Sequence, residues 1–376
     1  MRKITMVDLN AQYLKIKTEI DNAIQNVIDT ASFVKSPVIT EFEDELAGYL
    51  KADHVIACGN GTDALQVSLM ALDLKPGDEV ITPVFTFIST AEVISLLGLK
   101  PVPADVDPNT FNIDPAALES AITDKTKAVI PVHLFGQCAD MQKIIDITSK
   151  YNIYIIEDAA QAMGCDYYFK NNETLKASTI GHLGCTSFFP SKNLACFGDG
   201  GAVITNNDVL AERIRTIANH GMKVKYYYDM VGVNSRLDAI QAAILSVKLN
   251  YLDKYNMARQ KAADFYDNAF KSVPNIIIPL RAVYSNHIFH QYTLRIKDIN
   301  RDELKEYLHS KGIPSMIYYP VPIHLQKAFA FLGFKKGDFP FAEELSRTVL
   351  SLPMHTELDE EQMNYITQSV IDFVSK

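Results

Sequence analysis

The stretch around Lys192 has the residue types and spacing that chemistry would need. Lys192 follows two phenylalanines, a proline and a serine, and glycines stand soon after it at positions 198, 200 and 201. A lysine acts as a nucleophile when its amine is partly desolvated, and glycines let a bulky ligand approach the backbone. The stretch therefore indicates a lysine that forms a covalent bond. Taken alone, it equally fits a solvated lysine in a turn.

Two neighbouring carboxylates, Glu157 and Asp158, stand where the apolar run 153–156 ends, and Gln161 follows three residues later. In an open parallel sheet, ligands bind at the carboxyl ends of the strands. A carboxylate at such a position can pair with a cationic ring nitrogen, and Gln161 is close enough in sequence to share the pocket. The alternative is an acidic cap on the helix that follows the strand.

The stretch 58–65, CGNGTDAL, places Gly61 and Thr62 between a predicted strand and a predicted helix. Glycine, a hydroxyl and the free N–H groups of a helix N-terminus suit a phosphate group. The stretch is neither a Walker motif nor G-x-G-x-x-G. A helix cap without a ligand is the alternative. Ser187, five residues before Lys192, is a further candidate for a phosphate contact.

Together, these stretches contain the parts that pyridoxal 5′-phosphate requires. Its phosphate needs N–H and hydroxyl donors, its pyridine nitrogen needs a carboxylate that keeps it protonated, and its aldehyde needs a lysine for a Schiff base. An aromatic ring against the cofactor would complete the site. Of Phe85 and Phe87 we favour Phe87, with core packing as the alternative for both. The sequence therefore predicts an enzyme that uses pyridoxal phosphate.

The elements that must position these residues alternate between apolar runs and helical patterns. Strands are predicted at 54–58, 78–83, 100–106, 127–136 and 153–160, and helices at 62–72, 89–98, 115–122 and 141–151. This alternation predicts βαβ units and a mostly parallel sheet covered on both faces. From residue 238 one long helical stretch leads into a smaller C-terminal α+β unit. We therefore predict an α/β fold with two domains, 1–240 and 241–376.

Composition and charge argue against several classes of protein. The formal net charge of −9 disfavours non-specific binding to nucleic acid or to anionic membranes. No apolar run approaches the roughly 18 residues of a spanning helix, and the first residues lack the apolar core of a signal peptide. The five cysteines include no C-x-x-C pair, as in reduced cytosolic proteins. We predict a cytoplasmic protein without a metal site.

Five stretches carry a resemblance to a known family: GNGTDAL, DEVITPVFTFISTAE, IIEDAAQAMG, SFFPSKNLACFGDGGAVITN and VGVNSRLDAIQAAIL. They resemble the DegT/DnrJ/EryC1/StrS sugar-nucleotide aminotransferases, and the likeness extends from residue 7 to residue 358. The resemblance implies fold type I of the pyridoxal phosphate enzymes. That fold has a large domain with a mostly parallel sheet of the seven-stranded type, a small α+β domain, and a homodimer with two sites at its interface.

The resemblance also implies roles for the residues nearest the cofactor ring. Lys192 is the lysine that binds the cofactor, and Asp158 is the partner of the pyridinium nitrogen. Gln161 hydrogen-bonds the ring hydroxyl. Lys192 would also act as general base and then general acid during the transfer.

Further roles fall to residues around the phosphate and the amino donor. Gly61, Thr62 and Ser187 would hold the phosphate. Asn234 would reach the phosphate from the neighbouring subunit, and Arg236 would lie near the carboxylate of the amino donor. Without the resemblance, the stretch 234–238 indicates only a helix N-cap.

Within the family, the residues around Lys192 and the run FGQCADM at 135–141 resemble those of enzymes that aminate C3 of the sugar. The likeness is greatest to UDP-2-acetamido-3-oxo-glucuronate transaminases of surface-polysaccharide pathways. It implies transfer of an amino group from L-glutamate to C3 of that nucleotide sugar. A TDP-3-keto-6-deoxyhexose 3-aminotransferase and a 4-keto sugar aminotransferase stay open as alternatives.

Two departures from the family pattern concern substrate-binding positions. The usual H-Y-P-x-P-x-H reads YYPVPIH at 318–324, so that Tyr318 replaces a histidine while His324 is retained. A phenol can hydrogen-bond a sugar or a diphosphate, but it does not become cationic near neutral pH. Lys35 and Ser36 stand where a glycine commonly precedes the proline, which predicts a different shape for that loop.

Three other functional classes fit less well. A dehydratase branch of the family carries a histidine in place of Lys192. A non-catalytic regulator or scaffold has little reason to keep Lys192, Asp158 and Thr62 together, and no basic extension for nucleic acid is seen. A nicotinamide oxidoreductase would show G-x-G-x-x-G after its first strand. His133, at a strand end, is best interpreted as a core histidine.

Overall fold

A seven-stranded sheet forms the centre of the larger part of the molecule in the computed structural model, which describes residues 2–375. Its strands are β1 (His54–Cys58), β2 (Glu79–Pro83), β3 (Lys100–Ala104), β4 (Thr126–Val129), β5 (Tyr154–Asp158), β8 (Leu183–Ser187) and β9 (Gly201–Thr205). The order across the sheet is β1-β9-β8-β5-β4-β2-β3. Only β9 runs antiparallel to its neighbours, which confirms the predicted mostly parallel sheet.

Helices cover both faces of this sheet, because its strands are apolar on both sides. Neighbouring residues of one strand point to opposite faces. Ile156 accordingly packs in one buried cluster with Val80, whereas Ile155 packs in another with Ile81. The helices of this part are α1 (Leu9–Lys15), α2 (Lys17–Thr30), α3 (Pro37–Leu50), α4 (Gly61–Ala71), α5 (Ser89–Leu96), α6 (Pro115–Ala121), α7 (Met141–Thr148), α8 (Asp208–Ala218) and α9 (Ala239–Leu249).

The C-terminal part is built on a small antiparallel sheet with helices against it. The strands, in the order β10-β11-β12, are β10 (Ile276–Ile277), β11 (Tyr292–Ile296) and β12 (Val349–Leu352). The helices are α10 (Leu252–Phe270), α11 (Arg301–Ser310), α12 (Pro340–Thr348) and α13 (Glu360–Val374). A two-stranded hairpin of β6 (Asp166–Tyr168) and β7 (Thr174–Lys176) lies outside both sheets.

Two predicted elements differ in the structure. The strand expected at 127–136 ends at Val129, because Pro131 has no N–H for a sheet ladder. The long helix expected from residue 238 is two helices, since α9 ends at Leu249 and α10 begins at Leu252. Helix α9 packs against α2 and α3, whereas α10 packs against α13. The division of the chain at residue 240 stays a prediction.

The five cysteines are all buried and free of disulfide bonds. Within residues 2–375, no helix has both the length and the apolar character needed to cross a membrane.

Candidate active site

A cavity of about 610 Å³ lies at the carboxyl ends of the parallel strands. Its wall is formed by the segments that follow β1, β2, β5 and β8, together with residues from the C-terminal part. Eight residues proposed from the sequence line it: Gly61, Thr62, Phe87, Asp158, Gln161, Ser187, Lys192 and Tyr318. Their separation along the chain is large, so the topology of the sheet brings them together.

Lys192 lies in a tight loop that connects β8 to β9. Its backbone N–H donates to the carbonyl of Phe189 at 2.8 Å, and the next residue, Asn193, is buried and donates to Asn256 at 2.7 Å. The Lys192 side chain borders the open cavity and is otherwise enclosed by protein. Burial lowers the pKa of Lys192 to about 8, and the nearby charge of Asp158 opposes this change. With that pKa about a tenth of the amine is neutral at pH 7, far more than in a free lysine, and the neutral form is the nucleophile.

Asp158 is the last residue of β5, and only 5% of it is exposed. Its Oδ2 accepts a hydrogen bond from Thr90 Oγ1 at 2.8 Å, and its Oδ1 accepts one from the Ala160 N–H at 3.2 Å. Burial raises the pKa of Asp158, while the two hydrogen bonds and the charge of Lys192 act in the opposite direction. The result is a fixed carboxylate at the bottom of the cavity.

Glu157, the neighbour of Asp158, points to the other face of the sheet and takes no part in the cavity. Its carboxylate accepts backbone N–H groups from Ser178, Ile180 and Gly181 at 2.9, 2.6 and 2.7 Å. It also lies 2.8 Å from Nε2 of His133, whose Nδ1 accepts the Ala139 N–H. His133 therefore carries its proton on Nε2 and donates it to Glu157. The interpretation of His133 as a core histidine is confirmed.

Gln161 is held in one orientation by hydrogen bonds on both sides of its amide. Its Oε1 accepts the Phe135 N–H at 2.7 Å, and its Nε2 donates to the Tyr319 hydroxyl at 3.2 Å. The Phe87 ring stands 6.4 Å from the Tyr319 ring and is 55% exposed, on the cavity wall. Phe85 is fully buried in the core, so only Phe87 can reach a ligand in the cavity.

The other end of the cavity is formed where α4 begins and β8 ends. A Cβ on Gly61 would lie 2.8 Å from Cβ of Ser187, so only glycine allows this close approach. Asn60 caps the helix by accepting the Asp63 N–H at 2.8 Å. Among the described residues, the N–H groups of Gly61 and Thr62 have no acceptor. These N–H groups and the two hydroxyls of Thr62 and Ser187 can all donate to an anion.

Three of the proposed site residues lie outside the main cavity. Asn234 is exposed, and Arg236 lines a separate cavity of about 360 Å³. His324 is buried, with Nε2 3.1 Å from the Glu343 carboxylate, and it does not reach the main cavity. Tyr318 does line that cavity, where burial raises its pKa and keeps the phenol neutral.

Comparison with known proteins identifies the family. The sequence pattern of the DegT/DnrJ/EryC1/StrS aminotransferase family matches residues 14–371. This chain belongs to that family. The resemblance noted in the sequence is thereby confirmed.

Relatives of known sequence and structure match nearly the whole chain. The UDP-2-acetamido-2-deoxy-3-oxo-D-glucuronate aminotransferase of Pseudomonas aeruginosa is 47% identical, over 96% of this chain and 98% of its own. The pleiotropic regulatory protein of Geobacillus stearothermophilus is 46% identical, over 98% of both chains. The crystal structure of Streptomyces venezuelae DesV in complex with a ketimine intermediate has a TM-score of 0.95 at 37% identity, over 100% of both chains.

The cofactor of this aminotransferase family is pyridoxal phosphate, and the chain is a pyridoxal-phosphate-dependent aminotransferase of fold type I. The chemistry of the cavity fits this group. Unpaired N–H and hydroxyl donors at Gly61, Thr62 and Ser187 suit a phosphate. At the other end, Asp158 suits a protonated ring nitrogen, and Lys192 suits an aldehyde.

Three residues of the cavity wall were not found from the sequence: Asp199, His290 and Tyr319. Nor was Thr90, which lies behind Asp158. His290 reaches the site only through contacts between distant segments, which no local pattern indicates. Thr90 lies three residues after Phe87, but its contact with Asp158 joins two distant segments. Tyr319 adjoins Tyr318, and Asp199 lies within the glycine run after Lys192. These two residues therefore lie within stretches that the sequence had already singled out.

Proposed function

We propose that the enzyme transfers the amino group of L-glutamate to C3 of UDP-2-acetamido-2-deoxy-3-oxo-glucuronate. The product would be an amino sugar for a bacterial surface polysaccharide such as lipopolysaccharide O-antigen. The observation that carries the chemistry is the single cavity in which Lys192 and Asp158 face the donors at Gly61 and Ser187. The identity of 47% to the Pseudomonas aeruginosa enzyme supports the choice of sugar.

Lys192 is the residue that moves protons in this proposal. Pyridoxal phosphate, when bound, supplies an aldehyde that takes up the amino group and a ring that accepts the electrons released at carbon. Lys192 holds the cofactor through its amine until L-glutamate enters. Its freed Nζ then takes the proton from the α-carbon of L-glutamate, and in the second half of the reaction it places a proton on C3 of the sugar. A pKa lowered to about 8 suits a group that acts in turn as base and acid.

The remaining residues bind and orient. The Asp158 carboxylate would accept a hydrogen bond from the ring nitrogen and keep that nitrogen protonated, which would make the ring a better acceptor of electrons. Gln161, fixed by Phe135, donates toward the ring hydroxyl. Phe87, on the cavity wall, would face the ring and limit the access of water.

We also propose a homodimer in which Asn234 and Arg236 act in the cavity of the neighbouring subunit. Asn234 is exposed, and the Arg236 guanidinium has no acceptor among the described residues. Exposed apolar side chains near this segment, such as Val231 and Phe197, support an interface there. The buried, unpaired cysteines support a location in the cytoplasm.

A thymidine-linked 3-oxo-6-deoxy sugar is the second candidate substrate. The observation that favours this substrate is the small number of cationic side chains on the cavity wall. Among the described residues, Lys192 is the only lysine or arginine that lines the cavity. A C6 carboxylate needs a cation. In the first proposal Arg236 of the neighbouring subunit would have to pair with the carboxylate of L-glutamate and, in the second half of the reaction, with the C6 carboxylate of the sugar. A regulatory role without catalysis is suggested by the names of some relatives, such as the Geobacillus protein, and by no feature of the cavity.

The reaction run in reverse tests the proposal, because amino sugars are stable whereas 3-oxo sugars are fragile. UDP- and TDP-linked 3-amino and 4-amino sugars are added in turn to the yellow, cofactor-loaded enzyme, and its visible absorbance is recorded. We expect UDP-2-acetamido-3-amino-glucuronate alone to bleach the colour. Bleaching by a TDP-3-amino-6-deoxy sugar instead would favour the second candidate. An enzyme that no amino sugar and no glutamate bleaches would contradict transamination.

A further inference from the structure

Thr90 lies behind Asp158, on the side away from the open cavity. It is fully buried in the first turn of α5, and its Oγ1 lies 2.8 Å from Oδ2 of Asp158. The same Oγ1 is 3.5 Å from the backbone carbonyl of Phe87. One hydroxyl thus contacts the segment that carries Phe87 and also the carboxylate of Asp158.

The direction of these hydrogen bonds follows from their lengths and chemistry. A hydroxyl has one proton to donate, and an ionised carboxylate can only accept. The contact with Asp158 has the usual length for a bond to a charged acceptor, whereas the contact with Phe87 is at the outer limit. The Thr90 hydroxyl therefore donates its hydrogen bond to Asp158. The other oxygen of the carboxylate is held by the Ala160 N–H.

We propose that Thr90 is a positioning residue that keeps Asp158 ionised and aimed at the cofactor ring. This inference rests on the proposed role of Asp158. Without the Thr90 hydroxyl, Oδ2 would lose the donor that fixes its rotation. The carboxylate would then remain buried with one hydrogen bond, an arrangement that disfavours its charged form.

The expected consequence for pH dependence has a definite sign. Burial raises the pKa of Asp158, and Thr90 is the largest influence in the opposite direction. Other titratable groups that face Asp158 are Lys192, His133, Tyr319 and Cys185. These groups are unchanged when Thr90 is replaced. Removal of the hydroxyl therefore raises the pKa of Asp158, and the acidic limb of the kcat profile moves to higher pH.

The test compares Thr90→Val, which removes the hydroxyl and keeps the shape, with Thr90→Ser, which restores it. Thr82→Val is the matched control, because Thr82 is equally buried on β2 and its hydroxyl has no partner. We expect Thr90→Val to weaken retention of pyridoxal phosphate at least about tenfold and to lower kcat with little change in KM. Both effects should disappear in Thr90→Ser and be absent in Thr82→Val.

Retention is measured by dialysis followed by absorbance, and the pH profile by steady-state kinetics. A Thr90→Val enzyme with the retention and pH profile of Thr82→Val would overturn the inference. If Thr90→Val does not fold, Thr90→Ala is judged by the same two measurements. Failure of the proposed function looks different, because the wild-type enzyme would then retain pyridoxal phosphate but would not be bleached by the amino sugars.

Discussion

Two residues that are neighbours in the sequence have different roles in this structure. The side chains of Glu157 and Asp158 point to opposite faces of the sheet. The Glu157 carboxylate accepts hydrogen bonds from backbone N–H groups on one face, and Asp158 faces the cavity on the other. The sequence placed both at a strand end but could not tell which of them faces a ligand. The choice between Phe85 and Phe87 was of the same kind, and it depends on which ring the turn after β2 leaves exposed.

Lys192→Ala should give a folded protein that lacks covalently bound cofactor and has no turnover, because the nucleophilic amine is gone. Lys248→Met is the matched control. Lys248 is also buried, with a pKa lowered to about 8 by burial, but it lies outside the cavity wall. Borohydride reduction followed by intact mass measurement should show added cofactor in the wild type and in the control, and none in Lys192→Ala. Added mass on Lys192→Ala would refute the assignment.

At the scale of elements, the site depends on how closely β9 approaches the turn between β1 and α4. Gly201 begins β9, and a Cβ there would lie 2.4 Å from the backbone carbon of Asn60. That turn presents Gly61 and Thr62 to the cavity. The packing of two elements therefore sets the position of the donors.

Gly201→Ala should lower the free energy of unfolding by about 1–3 kcal/mol, as overpacked sites do, and should also weaken cofactor retention. Gly48→Ala is the control: a Cβ at this position of α3 meets nothing within 4 Å. It should raise stability by about 0.5–1 kcal/mol. Denaturant titration of both variants provides the comparison. An unchanged unfolding midpoint in Gly201→Ala would show that the turn can shift freely.

Most elements of the α/β part follow from local sequence, because their apolar periodicity and turn residues agree. Strand β1 and helix α4 lie where they were predicted, within a residue. The break between α9 and α10 was missed because no glycine or proline marks it in the sequence. The two helices are distinguished by their different packing partners. Tertiary contacts, which a single sequence does not contain, decided that case.

At the scale of the whole molecule, the chain brings most of the residues proposed for the site into one cavity and leaves Asn234, Arg236 and His324 outside it. Seven of the eight proposed residues that line the cavity end a strand of the large sheet or follow one, and Tyr318 comes from the C-terminal part. The position of His324 was harder to predict. It is buried against Glu343, in contacts that its motif did not suggest.

The proposed exchange of residues between subunits can be tested by complementation. Lys192→Ala and Asn234→Asp are co-expressed with different tags, and the mixed dimer is purified. If Asn234 acts across the interface, one site of the mixed dimer is intact, and we expect about half of the wild-type activity. Each variant alone should be nearly inactive. If Asn234 acts within its own chain, the mixed dimer should also be nearly inactive.

The one antiparallel strand of the large sheet has a consequence for how this enzyme can change. Because β8 and β9 form a hairpin, Ser187 pairs with Gly201, and residues 188–200 leave and return at a single point. A longer or shorter loop would move the amine of Lys192 while the phosphate end stayed in place. The position of the phosphate donors and the position of the Lys192 amine can therefore change independently in evolution. The paired residues at the base of the hairpin would stay in place in either case.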